Sequence, residues 1–214
     1  MKKILIVISF VLLISCQKDI SVSKAVLKTV FIDPGHGGKD NGCVFNSIYE
    51  DEINLNISKY LYESLINHNY LAYISRTSDY DLASLYSKNR KNEDLKKRVY
   101  YINNSSCDFF VSIHLNYYSD KKVYGPMVYY QKNNEKSKMA AKIVQNALNE
   151  FTDTNKIIHE GDYYILNKAK KDGILIECGF LSNLNERDKL NNEKYQMELA
   201  NIIYNSLDYY FSVL

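Results

Sequence analysis

Short apolar runs alternate along the chain with longer stretches in which apolar residues recur every third or fourth position. Val30-Phe31-Ile32, Phe109 to Ile113 and Gly173 to Ile176 read as buried strands. Tyr70 to Ser75 and Tyr163 to Leu166 read as further short strands, and Gly125 to Gln131 suits a place near a sheet edge, since Pro126 cannot donate to a ladder. Between these runs the period changes. Ile53, Ile57, Leu61 and Leu65 recur in a helix that opens at Glu50-Asp51-Glu52 and ends at Asn67-His68-Asn69, where His68 belongs in an exposed turn. Leu95 to Ser105 predicts a second helix. Lys136 to Phe151 predicts a third, with Met139, Ile143, Ala147 and Phe151 on one face, and Tyr195 to Phe211 a last one, with Leu199, Ile203 and Leu207 turned inward. Strands alternating with helices imply an α/β fold: a single-domain sandwich whose mostly parallel, twisted sheet is covered by helices on both faces.

The first residues depart from this pattern. Lys2 and Lys3 precede an apolar run from Ile4 to Ile14, broken only by Ser9. That is shorter than the roughly 20 residues needed to cross a bilayer and matches a secretory signal. Leu13-Ile14-Ser15-Cys16 resembles the lipobox of bacterial lipoproteins, which implies cleavage before Cys16 and acylation of that cysteine. The expected organisation is a signal peptide over 1–15, a lipidated Cys16 with a polar tether over 16–28, and one folded domain over 29–214. Such a chain is exported and held by its lipid in the cell envelope. Removing Lys2 and Lys3 takes Lys+Arg from 27 to 25 against 25 Asp+Glu, so the mature protein is near neutral and offers no sequence-wide attraction for nucleic acid. Beyond Cys16 three cysteines remain, Cys43, Cys107 and Cys178. An odd number without metal-binding spacing reads as small buried apolar residues and not as a disulfide framework.

Candidate chemistry gathers at strand ends. His36 follows the first strand in Asp33-Pro34-Gly35-His36-Gly37-Gly38, flanked by glycines that let something bulky approach. His114 ends the Phe109 run and Glu177 ends the Gly173 run. In open parallel sheets ligands bind beyond the carboxyl ends of the strands, so the three converge. Two histidines and a carboxylate can bind Zn(II) and leave a position open for water, with a further carboxylate as general base. Residue types alone leave open which glutamate ligates and which acts as base. No HExxH is present, which excludes the helical zinc-peptidase arrangement.

Four motifs carry a resemblance: I-D-P-G-H-G-G-K-D-N-G around His36, E-D-E-I-N-L from Glu50, S-I-H-L-N around His114 and E-C-G-F-L-S-N from Glu177. With Arg76, Asp79, Arg98 and Asn103 as further matches, the chain from Val30 onward resembles the zinc-dependent N-acetylmuramoyl-L-alanine amidases of the amidase-3 family. The resemblance implies His36, Glu50 and His114 as zinc ligands and Glu177 as catalytic base. Glu50 is preferred because it stands five residues before Leu55, with Glu52 as the fallback. It also implies peptidoglycan as the substrate, cut between N-acetylmuramic acid and the L-alanine of the stem peptide. Autoinhibitory helix and wall-binding repeat are both lacking, and no protein partner can be inferred. The competing readings are a non-catalytic peptidoglycan-binding lipoprotein on the same fold, a zinc peptidase cutting within the stem peptide, and a structural envelope protein.

Overall fold

A computed structural model describes residues 27–214; the expected signal peptide, Cys16 and nearly all of the expected tether lie outside the described residues. The chain runs β1 (Thr29–Pro34), β2 (Val44–Phe45), β3 (Ile48–Tyr49), α1 (Glu50–Asn67), β4 (Leu71–Ile74), α2 (Arg90–Asn104) and β5 (Phe109–Asn116). It continues through β6 (Met127–Tyr130), α3 (Glu135–Thr152), β7 (His159–Glu160), α4 (Tyr164–Lys168), β8 (Asp172–Phe180), α5 (Leu184–Leu190) and α6 (Glu193–Ser212). Six strands form one sheet in the order β4-β1-β5-β8-β6-β7. The first four are mutually parallel, and β6 runs antiparallel to β8 with β7 parallel beside it. β2 and β3 make a separate small hairpin.

Period-two alternation sends the strand side chains to opposite faces. Val30, Ile32, Phe109, Val111, Ile113, Ile174, Ile176 and Cys178 pack with buried residues of α1, α3 and α6 on one face. Phe31, Phe110 and Leu175 pack with Val99 and Ile102 of α2 and with Ile165 and Leu166 of α4 on the other. The sheet is thus covered on both faces, as the pattern predicted. No described helix is long and apolar enough to cross a membrane.

Asparagine starts most of the helices. Asn89, Asn134, Asn183 and Asn192 each accept, through the side chain, the backbone N–H three residues on, satisfying one of the open donors of α2, α3, α5 and α6. α1 is different. Its N-cap, Tyr49, makes no side-chain bond, and the N–H groups of Glu50 and Asp51 donate instead to the carbonyls of Cys43 and Asn41. The loop that carries His36 therefore caps the helix that begins with Glu50.

Three expectations need correction. Tyr163 to Leu166 is not a strand: Tyr164–Lys168 is one helical turn, set by burial of the adjacent Ile165 and Leu166 against Phe110 and Leu175. The inward face of α3 is Ala140, Ala141, Val144 and Leu148, with Ser137 and Gln145, while Met139 is exposed and Ile143 and Phe151 sit at the rim. Gln145 can be buried there because it accepts from Val128 N–H and donates to the Pro126 carbonyl. Of the cysteines, Cys107 and Cys178 are buried, whereas Cys43 is half-buried; all three are free. His68 is exposed, as expected, and stacks on Tyr204.

Candidate metal centre

β1, β5 and β8 are adjacent and parallel, and their carboxyl ends bring the chemistry together. His114 pairs in register with Glu177 across β5 and β8, and Gly35 N–H extends the β1 ladder to the Ile113 carbonyl just before His36. Glu50 arrives from the start of α1. Its Oε1 lies 3.2 Å from His36 Nε2 and 3.2 Å from His114 Nδ1, and the two rings meet edge-on with centroids 5.0 Å apart. One donor atom from each of His36, Glu50 and His114 can be chosen so that all lie within 4.8 Å of one another, a set that could hold a metal ion. Glu52, in the same first turn of α1, is exposed and does not belong to this cluster.

The donor set is held from behind. Glu50 Oε2 accepts Cys43 N–H at 2.8 Å, and Oε1 accepts Leu115 N–H at 3.0 Å and the Asn54 amide at 3.2 Å. His36 Nδ1 lies 3.0 Å from Asp40 Oδ2, which leaves Nε2 for the centre and fixes the tautomer. Burial opposes protonation of His36, but the carboxylates of Asp40 and Glu50 outweigh it and raise the ring to about 9. Burial likewise opposes ionisation of Glu50, yet the two histidines hold its carboxyl far below the usual range. Both shifts come from one carboxylate facing two imidazoles, a negative charge that a bound cation would satisfy in place of the protons. Space is kept by glycine: at Gly42, with φ +66°, a Cβ would stand 2.5 Å from Glu50 Oε2 and 2.7 Å from His36 Cδ2, and at Gly35 it would overlap the His114 ring.

Two buried arginines fix the loop. Arg98 of α2 donates to Asp33 Oδ1 at 2.9 Å, to the Pro34 and His36 carbonyls at 2.5 Å each, and to Asp94 Oδ2 at 2.7 Å. Arg76 donates to the carbonyls of Pro34, Gly35 and Asp51 at 3.2, 2.8 and 2.7 Å. Three consecutive carbonyls at the end of β1 are thereby pinned, and His36 is held at φ +59°, a left-handed conformation uncommon for a residue with a side chain. Asp79 accepts Gly38 N–H at 2.6 Å and closes the far side of the loop.

Glu177 sits beside the cluster, 6 % exposed. Its Oε1 accepts the Tyr163 hydroxyl at 3.1 Å, while Oε2 is buried without a partner among the described residues. Burial raises its carboxyl above the ordinary value, His114 opposes this and Glu50 adds to it. An orphaned carboxylate oxygen next to two histidines and a second carboxylate is what a proton acceptor for bound water requires.

The structure thus brings His36, Glu50, His114 and Glu177 into one centre. Reading the sequence assigned no part to Asp40, Asn54 or Tyr163, and noted Arg98 only as a match. Asp40 carried a local signal, an acid four residues after the histidine across two glycines. Tyr163 carried none, because it is one of 20 tyrosines and only the topology sets it on Glu177.

Comparison with known proteins follows the same outline. The family model for N-acetylmuramoyl-L-alanine amidase, Amidase_3, matches residues 30–209. A germination-specific N-acetylmuramoyl-L-alanine amidase of Bacillus subtilis is 35 % identical over 190 residues, 86 % of this chain and 80 % of that one. Among solved structures, the CwlD amidase of Clostridioides difficile, determined in complex with the GerS lipoprotein, superposes with a TM-score of 0.85 at 36 % identity over 87 % of this chain and 100 % of that one. The catalytic domain of CwlV, an N-acetylmuramoyl-L-alanine amidase of Bacillus (Paenibacillus) polymyxa, gives 0.77 at 29 % identity over 88 % of this chain and 100 % of that one.

Proposed function

The chain belongs to the N-acetylmuramoyl-L-alanine amidase family, and from that premise we infer that His36, Glu50 and His114 hold zinc while Glu177 acts as the base of a peptidoglycan amidase. The reaction is hydrolysis of the amide between N-acetylmuramic acid and the L-alanine of the stem peptide. The observation that carries the site assignment is the buried, unpartnered Oε2 of Glu177 beside a cluster of two histidines and a carboxylate. The donor chemistry fits zinc, which takes nitrogen and carboxylate oxygen and in catalytic sites keeps a position open.

When bound, zinc would polarise the scissile carbonyl and lower the pKa of water. Glu177 takes the proton of the attacking water at Oε2 as its oxygen bonds to the carbonyl carbon. It then passes that proton to the nitrogen of L-alanine as the C–N bond breaks. Tyr163 holds Oε1 in place, so the free oxygen faces the reacting atoms. The Asp40 carboxylate keeps Nε2 of His36 turned to the centre, and the arginine-pinned loop holds that ring before substrate arrives. Pre-positioning of this kind lowers the reorganisation the reaction must otherwise make.

Zinc-loaded protein incubated with purified peptidoglycan is expected to release stem peptides beginning with L-alanine, read by mass spectrometry, and Glu177→Gln is expected to keep zinc and release none. Cuts within the stem peptide would instead make the enzyme a zinc peptidase. The domain organisation proposed with this activity is a signal peptide over 1–15, an acylated Cys16 with a tether, and the amidase domain from 29 onward, anchored in the cell envelope. Fractionation tests it: Cys16→Ser should leave the membrane fraction, and unchanged retention would refute the lipid anchor.

A further inference from the structure

Where the loops that follow β5 and β8 meet the β2–β3 hairpin lies a concavity of about 480 Å³, lined by Phe45, Lys121, Lys122, Ser182, Asn183 and Arg187 among others. Both its walls are tied to the chemistry. Phe45 belongs to the β2–β3 hairpin, whose first residue follows Cys43, the donor to Glu50 Oε2; Ser182 comes five residues after Glu177. Ser182 Oγ accepts Tyr118 N–H at 3.1 Å and the Asn183 amide donates to the Lys121 carbonyl at 2.9 Å, so the loop after β5 and the loop after β8 form one rim.

Arg187 is the unusual member. It is 6 % exposed, yet among the described residues it has no carboxylate within ion-pairing distance. Of its five N–H donors one reaches an acceptor among the described residues, the Leu181 carbonyl at 3.4 Å. The neighbouring Glu186 is no partner, because its two oxygens accept Gly125 N–H and Phe180 N–H, each at 2.9 Å. Arg98, equally buried, spends its donors on two aspartates and two carbonyls. The Arg187 guanidinium instead lies over the Phe45 ring, 4.1 Å from its centroid, and Lys121 Nζ lies 5.4 Å from the same centroid. A cation in the last turn of α5 suits that helix end. That accounts for the charge and not for its burial with the donor fork left open.

We propose that this pocket is a carboxylate subsite, in which the Arg187 fork binds a carboxylate of the substrate's peptide while Lys121 and Lys122 draw it in. Held over an aromatic ring, a guanidinium can present two parallel N–H groups in the geometry that matches a carboxylate. The subsite rests on the amidase reading above, since it places the peptide side of the scissile bond toward the segment that follows Glu177. It gives the enzyme a preference for stem peptides with free acids over those converted to amides.

The test uses full-length, zinc-loaded Glu177→Gln protein, which keeps the substrate intact, and two soluble N-acetylmuramoyl-L-alanyl peptides that differ in having free or amidated carboxylates. By calorimetry the acid should bind about tenfold more tightly, a preference that shrinks with added salt. R187Q should erase the preference, R187K should keep part of it, and K121Q/K122Q, at exposed positions, should weaken it without disturbing the fold. Equal binding of acid and amide by the parent protein, or a preference that survives R187Q or is indifferent to K121Q/K122Q, would overturn the subsite. Peptide release by the unmutated enzyme is followed in parallel. Acid-selective binding without release overturns the amidase reading and keeps the subsite; release without acid selectivity does the reverse.

Discussion

Arg98→Met is the substitution that most directly probes how the fold and the centre are joined. The side chain is 2 % exposed and its partner Asp33 is 1 % exposed, so the pair is fully desolvated. Burial alone would push the Asp33 carboxyl up, but Arg98 first, and then the Ser75 and Ser112 hydroxyls, hold it below its ordinary value. Methionine fills much of the volume and removes the paired counter-charge, leaving Asp33 ionised with two hydroxyls and only the unpaired field of the neighbouring Arg76. Stranding one member of a buried pair costs about 3–5 kcal/mol. In a domain of this size each kcal/mol moves the midpoint by about 2–4 °C, so thermal unfolding at pH 7 should fall by about 6–20 °C. The pH dependence has a definite sign. A depressed carboxyl contributes stability that is present above its unfolded pKa, about 3.9, and lost as pH falls through the lower folded value. Without Arg98 the same carboxyl is raised by burial, and it protonates as pH falls toward 4, relieving the stranded charge. The gap between wild type and variant should therefore narrow between pH 7 and pH 4. A midpoint change under 2 °C, or one independent of pH, would refute the role assigned to this pair.

Two further substitutions separate holding the metal from doing the chemistry. Asp40→Ala removes the carboxylate 3.0 Å from His36 Nδ1 and should weaken zinc binding about 10- to 100-fold in competition with a chelator, with little change in thermal midpoint; unchanged affinity would remove Asp40 from the site. Tyr163→Phe deletes the 3.1 Å hydrogen bond to Glu177 Oε1 and should lower kcat about tenfold at constant KM and constant zinc content, so an unaltered kcat would show that Glu177 needs no such support.

How far the molecule can be read from its sequence differs from part to part. β1, β5 and β8 are legible because each carries a short run, apolar throughout or broken only by Ser112, that is buried on both faces, and α1 because its apolar spacing is regular. The Tyr163 to Leu166 segment misled because aromatic and branched residues suit a strand locally, while the packing of Ile165 and Leu166 under α2 imposes a helical turn. The face of α3 misled because two stripes share its period, and the larger side chains of Met139, Ile143 and Phe151 outweigh Ala140, Val144 and Leu148, whose face also buries the polar Ser137 and Gln145. At the centre, glycine-flanked His36 and strand-ending His114 and Glu177 announce themselves. Their supports do not, since Arg98 reaches His36 across 62 positions and Tyr163 reaches Glu177 from a separate loop.

The register that joins β1, β5 and β8 also fixes when, in the life of a molecule, the centre can exist. His36 and Glu50 are made early, His114 midway and Glu177 late, and α1, which carries Glu50, rests on α6 at the far end of the chain through Tyr60 to Glu193 and Ser64 to Asn201, with Tyr70 just beyond α1 bonded to Asp208. Contacts so distant in sequence form slowly and only once most of the chain is present. An unfolded polypeptide therefore has all the residues for hydrolysis and none of their geometry, which depends on contacts that span nearly the whole domain.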